Sequence, residues 1–220
     1  MPDPQAYTVG WICAITPESV AARAFLDDEH QLPQQVAKHD NNSYILGKIG
    51  SHNVVVATLP DGEYGATSAA TVARDMIHSF PNVRIGLMVG IRGGVHSQNH
   101  DIRLGDVVVS SPIGRKGGIF QYDFSKTIQN LSFQEIGFLN LPPKILRAAL
   151  STLKSQYEIE SHQLVDDVNK KLDKIKERSR YARPSLASDR LYKSNIVHPS
   201  DPSANYDVAC GDNTTSLIAR

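Results

Sequence analysis

Charge of one sign is what this sequence most plainly lacks. Lysine plus arginine and aspartate plus glutamate stand at 23 each. A balanced chain offers no electrostatic footprint for a polyanion, so nucleic acid and anionic membrane are not expected partners. Long hydrophobic runs are missing too: no stretch approaches the roughly 20 apolar residues that span a bilayer. Met1 to Ala6 is polar and carries prolines, which does not read as a signal peptide. Cysteine is scarce. Cys13 and Cys210 are the only two, Cys13 lies within an apolar run that suits a small core residue, and a reducing, intracellular setting is expected. His96 and His100 share a polar loop with no third ligand at metal-site spacing, so no metal is expected. No internal repeat or low-complexity tract is found.

What is present alternates between strand and helix. Tyr7 to Ile15 is nearly continuously apolar, as a strand buried on both faces should be. Thr16 reads as an N-cap, with Pro17 and Glu18 in the first turn of a helix running to about Asp28. Gln31 to Asn42 is polar and reads as a loop. Ser43 to Ile49 and Asn53 to Leu59 form a hairpin across Gly50-Ser51-His52. Asp61 to Gly65 is a turn, and Ala66 to Ser79 a helix with Ala69, Val72, Ala73, Met76 and Ile77 on one face. Its small first residues would let a ligand reach free N–H groups; packing on a sheet asks for small residues equally.

Arg84 to Val89 is a buried strand by pattern, followed by a glycine-rich loop, a turn at Gly105-Asp106 and a β-branched strand at Val107, Val108 and Val109. A glycine loop between buried strands is a usual ligand site in α/β proteins. It is not GxGxxG before a helix, however, and lacks the Lys-Ser/Thr of a phosphate loop, so a structural turn is an equal reading. Gly117 to Phe124 suggests another strand. Pro142 to Tyr157 is an amphipathic helix with Ile145, Leu146, Ala149, Leu150 and Leu153 inward. Glu160 to Arg178 is a more polar helix whose lysines read as a solvated face. Beyond Ser179 the apolar pattern decays. The expected organisation is a disordered 1–6, an α/β core over 7–157, and a helix with an irregular, poorly packed tail over 158–220.

Several segments now fall into a known order: Val9-Gly10-Trp11-Ile12-Cys13-Ala14 with Pro17-Glu18; Asp61-Gly62-Glu63-Tyr64-Gly65; Gly86-Leu87-Met88-Val89-Gly90; Asp101 to Ser110; and Gln121-Tyr122-Asp123-Phe124. Each is weak alone. As an ordered set over about Tyr7 to Leu153 they resemble the purine and uridine phosphorylase superfamily, which includes the methylthioadenosine/S-adenosylhomocysteine nucleosidases. The nearest likeness is to the nucleoside-phosphorylase-like domains at the N-terminus of fungal proteins that continue into an NTPase module and ankyrin or TPR repeats.

The resemblance implies a three-layer α/β/α sandwich around a mixed, barrel-like sheet, cleavage of the N-ribosidic bond of purine nucleosides, and no cofactor, with phosphate allowed as co-substrate. It aligns Glu18 with the glutamate that activates the attacking water. A carboxylate there suits hydrolysis better than phosphorolysis, as does Met88 where phosphorylases tend to carry arginine. Its alternative role is a helix N-terminal carboxylate facing the dipole. Substrate contacts are expected at Gly62, Gly65, Val89, Gly90, Ile91, Arg92, Gly93, Tyr122 and Asp123. Ile91 stands where a hydroxyl residue is common. Arg92 replaces a small residue and could bind an anion, block the site or face solvent. Asp106 is expected to fix its turn by local hydrogen bonds.

The family's later Met-Glu pair, which grips the ribose hydroxyls, and its base-binding aspartate do not appear. No methionine follows Met88. The expected fold is therefore C-terminally incomplete, with an exposed sheet edge. The competing expectations are a non-catalytic nucleoside-sensing or interaction module and an inactive truncated homologue. A small-molecule nucleoside is the expected partner, with assembly into a homo-oligomer left open.

Overall fold

The computed structural model describes residues 3–33, 36–94, 97, 100–112, 117–119, 125–126, 134–135, 140–185, 188–197 and 215–218. The chain divides into two compact units, one of residues 1–91 and 109–180, the other of 92–108 and 181–220.

The first unit is built on a five-stranded mixed sheet. Its elements run β1 (Val9–Cys13), α1 (Thr16–Phe25), β2 (Asp28–His30), β3 (Tyr44–Ile49), β4 (His52–Thr58), α2 (Ala66–Ser79) and β5 (Ile85–Met88). The spatial order is β2-β3-β4-β1-β5. β4, β1 and β5 are parallel neighbours, with Val9 opposite both Val54 and Ile85, while β2, β3 and β4 are antiparallel. The hairpin closes where Ile49 pairs with His52, and Gly50 supplies the positive φ of 57° that its turn requires.

Strand alternation sends neighbouring side chains to opposite faces. Val55, Ala57, Tyr44 and Leu46 pack with Val72 and Met76 of α2 and with Phe80 just after it, along with Tyr7 and Leu59. Val54, Val56, Val9 and Cys13 pack with Ala22 of α1 and with Leu26. One helix therefore covers each face. Phe80 anchors the first cluster through edge-on contacts with Tyr7 and Tyr44, at centroid separations of 5.5 and 5.1 Å. Gly10 is required by that packing: a Cβ there would lie 2.6 Å from Met76 Sδ.

Ahead of β1, within the stretch expected to be disordered, Pro4–Ala6 form a 3-10 turn capped by Asp3, and Asn82 Nδ2 donates to Gln5 O at 2.7 Å. The loop before β3 is tied by polar groups. Tyr44 Oη and Ser79 Oγ both donate to Asp40 Oδ2, and Asn42 Nδ2 donates to Val72 O at 3.0 Å. Desolvation, and then the bond to Asp40, raises the Tyr44 phenol well above its ordinary range.

Several sequence expectations are corrected. Helix α1 stops at Phe25, and Asp28–His30 instead form an edge strand on β3. Among the described residues strand β5 has β1 as its one neighbouring strand, and it is half-exposed rather than buried. Val107, Val108 and Val109 form no strand and are 66, 68 and 59 % exposed. Ile77 points outward from α2. The later helices are α3 (Lys144–Glu160) and α4 (Leu164–Leu172). No residue of α3 is buried, so Ile145, Leu146, Ala149, Leu150 and Leu153 do not form the inward stripe their spacing predicts. Helix α4 ends well short of Arg178; Lys171 in its last turn and Lys174 just beyond it donate to the Phe25 and Leu26 carbonyls at the end of α1. Lys171 also pairs with Asp27, and that bond, with one from Gly50 N–H, holds the Asp27 carboxyl below its usual range.

A two-residue antiparallel pair joins β6 (Ser125–Lys126) to β7 (Gln134–Glu135). Of the strand expected over Gly117 to Phe124, residues 117–119 are described and are not in a strand. In the second unit, Arg103 N donates to Asp106 Oδ2 at 2.9 Å, and Gly105 takes a φ of 84°. This is the local turn expected of Asp106, to which Arg183 Nη2 adds a bond of 3.1 Å. No helix among the described residues is long and apolar enough to cross a membrane.

Candidate functional site at the carboxyl ends of the parallel strands

The chain leaves β1 for one side of the sheet and leaves β4 for the other, passing over β1 to reach β5. Strand order thus reverses around β1. In open α/β sheets the crevice outside the carboxyl ends at such a point is where ligands bind. Three segments emerge there: the β1–α1 turn, the loop from β4 to α2, and the loop leaving β5.

Glu18 stands at the centre of this arrangement. The β1–α1 turn is extended at Ile15, with φ −135° and ψ 159°, and Pro17 pre-sets the first helical turn. That geometry folds the Glu18 side chain back toward the strand end, where it is 9 % exposed. Oε2 accepts from Ala14 N at 2.7 Å and Ile15 N at 3.3 Å, and Oε1 accepts from Ile91 N at 2.7 Å. The first two bonds are what a helix N-terminal carboxylate makes with its own turn. The third joins the turn to the loop beyond β5. Gly90 makes that approach possible, since a Cβ on it would sit 2.5 Å from Oε1 and 2.9 Å from Cδ. The Val89 amide adds a bond to Ile12 O at 3.1 Å.

Cys13 lies fully buried at the end of β1. Burial, with the Glu18 charge second, pushes its thiol up to about 11. A thiol so held is a core group, not a nucleophile.

Glu18, Gly90 and Ile91 are thus brought together, with Val89 beside them. Gly62 and Gly65 lie in the loop leaving β4 and take φ of 81° and 93°; both are exposed, and neither has a neighbour where a Cβ would be. Gly65 also caps α2 without a side-chain hydrogen bond. Arg92 and Gly93 belong to the second unit and are exposed. Tyr122 and Asp123 lie outside the described residues. The Glu18–Ile91 bond went unread in the sequence. Its one signal was a glycine immediately after a strand, and the register that sets it against Glu18 comes from β1–β5 pairing. Among the described residues, no three of His, Cys, Asp or Glu gather as a ligand set.

No protein-family model matches the chain, and no solved structure matches it. A "nucleotide-binding leucine-rich repeat (NLR)-like protein" of the fungus Hyaloscypha variabilis is 47 % identical over 152 residues, covering 69 % of this chain. The match spans only 15 % of that relative's length. An NLR-like fungal relative fits the expected likeness to domains of fungal NTPase-and-repeat proteins and does not bear on the nucleoside-phosphorylase resemblance.

Proposed function

We propose that this chain is a nucleoside-phosphorylase-like domain of the three-layer α/β/α kind, binding a purine nucleoside at the carboxyl ends of β4, β1 and β5 and directed to hydrolysis of the N-ribosidic bond. The observation that carries this reading is the buried Glu18 carboxylate held against the loop leaving β5. Glu18 would take a proton from water as the water oxygen attacks C1′. The C1′–N bond breaks with its electron pair passing to the base, which is then protonated from solvent. The transition state carries positive charge on the ribosyl ring, which a nearby carboxylate stabilises. Phosphate is a poorer nucleophile here because it would meet a carboxylate of its own sign.

The test is chromatographic base release from adenosine, inosine, guanosine and uridine, with and without phosphate. Release that ignores phosphate, and that falls about 100-fold or more in Glu18→Gln, is expected. Unchanged turnover in the variant would remove Glu18 from the mechanism, and acceleration by phosphate would point to phosphorolysis.

A second reading, a nucleoside-sensing or interaction module without catalysis, is favoured by two observations. All three observed Glu18 contacts are structural N–H donors. The 47 % identical relative is also a far longer, NLR-like protein. Nucleoside binding without base release would select it.

A further inference from the structure

A carboxylate presents about four lone-pair directions, and three of those on Glu18 are filled by N–H donors. The Ala14 and Ile15 donors belong to its own turn and persist as long as α1 starts where it does. The Ile91 donor lies 73 residues away on a loop whose side chain there is 71 % exposed. It is therefore the contact least supported by packing and the one a ligand can most readily replace. A group replacing it must itself donate a hydrogen bond, and the ribosyl hydroxyls of a nucleoside are donors.

We propose that Glu18 Oε1 and the Ile91 amide form a latch that a nucleoside hydroxyl releases. In one arrangement, seen here, Ile91 N–H donates to Oε1 and holds residues 89–91 on the β1–α1 turn. In the other, a ligand hydroxyl takes Oε1 and the loop is freed. Gly90 is a positioning residue for the first arrangement, because any side chain on it occupies the space of the Glu18 carboxylate. The ligand half of the latch rests on the nucleoside reading above; the Gly90 half does not. The latch turns occupancy into movement of a loop bearing the half-exposed or exposed Val89 and Ile91, as a sensing domain requires.

Amide hydrogen exchange on the whole chain tests it, read residue by residue with and without saturating adenosine. The variants are Gly90→Ala and, as a control, Gly86→Ala, whose added Cβ meets nothing within 4 Å. In the unmodified chain the Ile91 amide is expected to exchange about tenfold faster or more when adenosine binds. Gly90→Ala should show that faster exchange without ligand, and Gly86→Ala should match the unmodified chain. The Val55 and Val56 amides in the sheet centre should stay protected throughout. Unaltered Ile91 protection in Gly90→Ala, with those core amides intact, overturns the latch. Adenosine binding that leaves Ile91 exchange unchanged overturns its release. Absence of adenosine binding overturns the nucleoside reading and ligand release together, while the Gly90→Ala arm still judges the clamp.

Discussion

Two side chains near the end of β1, Glu18 and Cys13, are buried with different partners. Glu18 is buried with three N–H donors and so keeps partners for both oxygens. Cys13 is buried at 0 % exposure, and desolvation favours its neutral form. The sign for stability follows. The folded thiol titrates near 11 against an ordinary value of about 9, so between these values the folded chain binds the extra proton. Stability is therefore lost as pH rises through that window, by at most about 2–3 kcal/mol. Urea midpoints at about pH 8 and about pH 10.5 should fall farther apart in the unmodified chain than in Cys13→Ala. Equal spacing would show that Cys13 contributes no such slope. The burial of Cys13 was legible in its apolar surroundings, and the placement of Glu18 in the Pro17-Glu18 turn. The Ile91 donor was not, because a hydrogen bond across 73 residues depends on strand register, which one sequence does not state.

Strand-and-turn chemistry made the β3–β4 hairpin and helix α2 readable, since alternation and a glycine turn are local signals. Where local signals misled, tertiary partners had decided. Val107 to Val109 have the composition of a strand but pair with no strand among the described residues, and β-propensity without a neighbouring ladder does not make a strand. The stripe on α3 has helical spacing, but nothing among the described residues buries it. Strand β2 was missed for the reverse reason: Asp28-Glu29-His30 has little strand character, and its place is set by β3. Gly47 fixes that place. A Cβ on it would lie 2.5 Å from the Asp28 carbonyl and 2.7 Å from a Leu26 methyl. Gly47→Ala should cost about 1–3 kcal/mol in chemical denaturation and selectively release the amides of β2 to exchange. Exchange unchanged at β2 would mean the strand pair tolerates the methyl group.

Across the molecule, the ordered motifs anticipated a mixed α/β fold, and the sheet assembles with its parallel strands β4, β1 and β5 side by side. What the motifs could not supply is the division into two units or the pairing of β5 with β1, since both arise from contacts between distant segments. The functional account stands on one crevice, at the carboxyl ends of the three parallel strands, where Glu18 meets the loop leaving β5. Titration calorimetry of the chain against adenosine, inosine, guanosine and uridine addresses it most directly. Saturable, one-to-one binding of at least one purine nucleoside is the predicted result; the absence of binding heat from all four would contradict the nucleoside site itself.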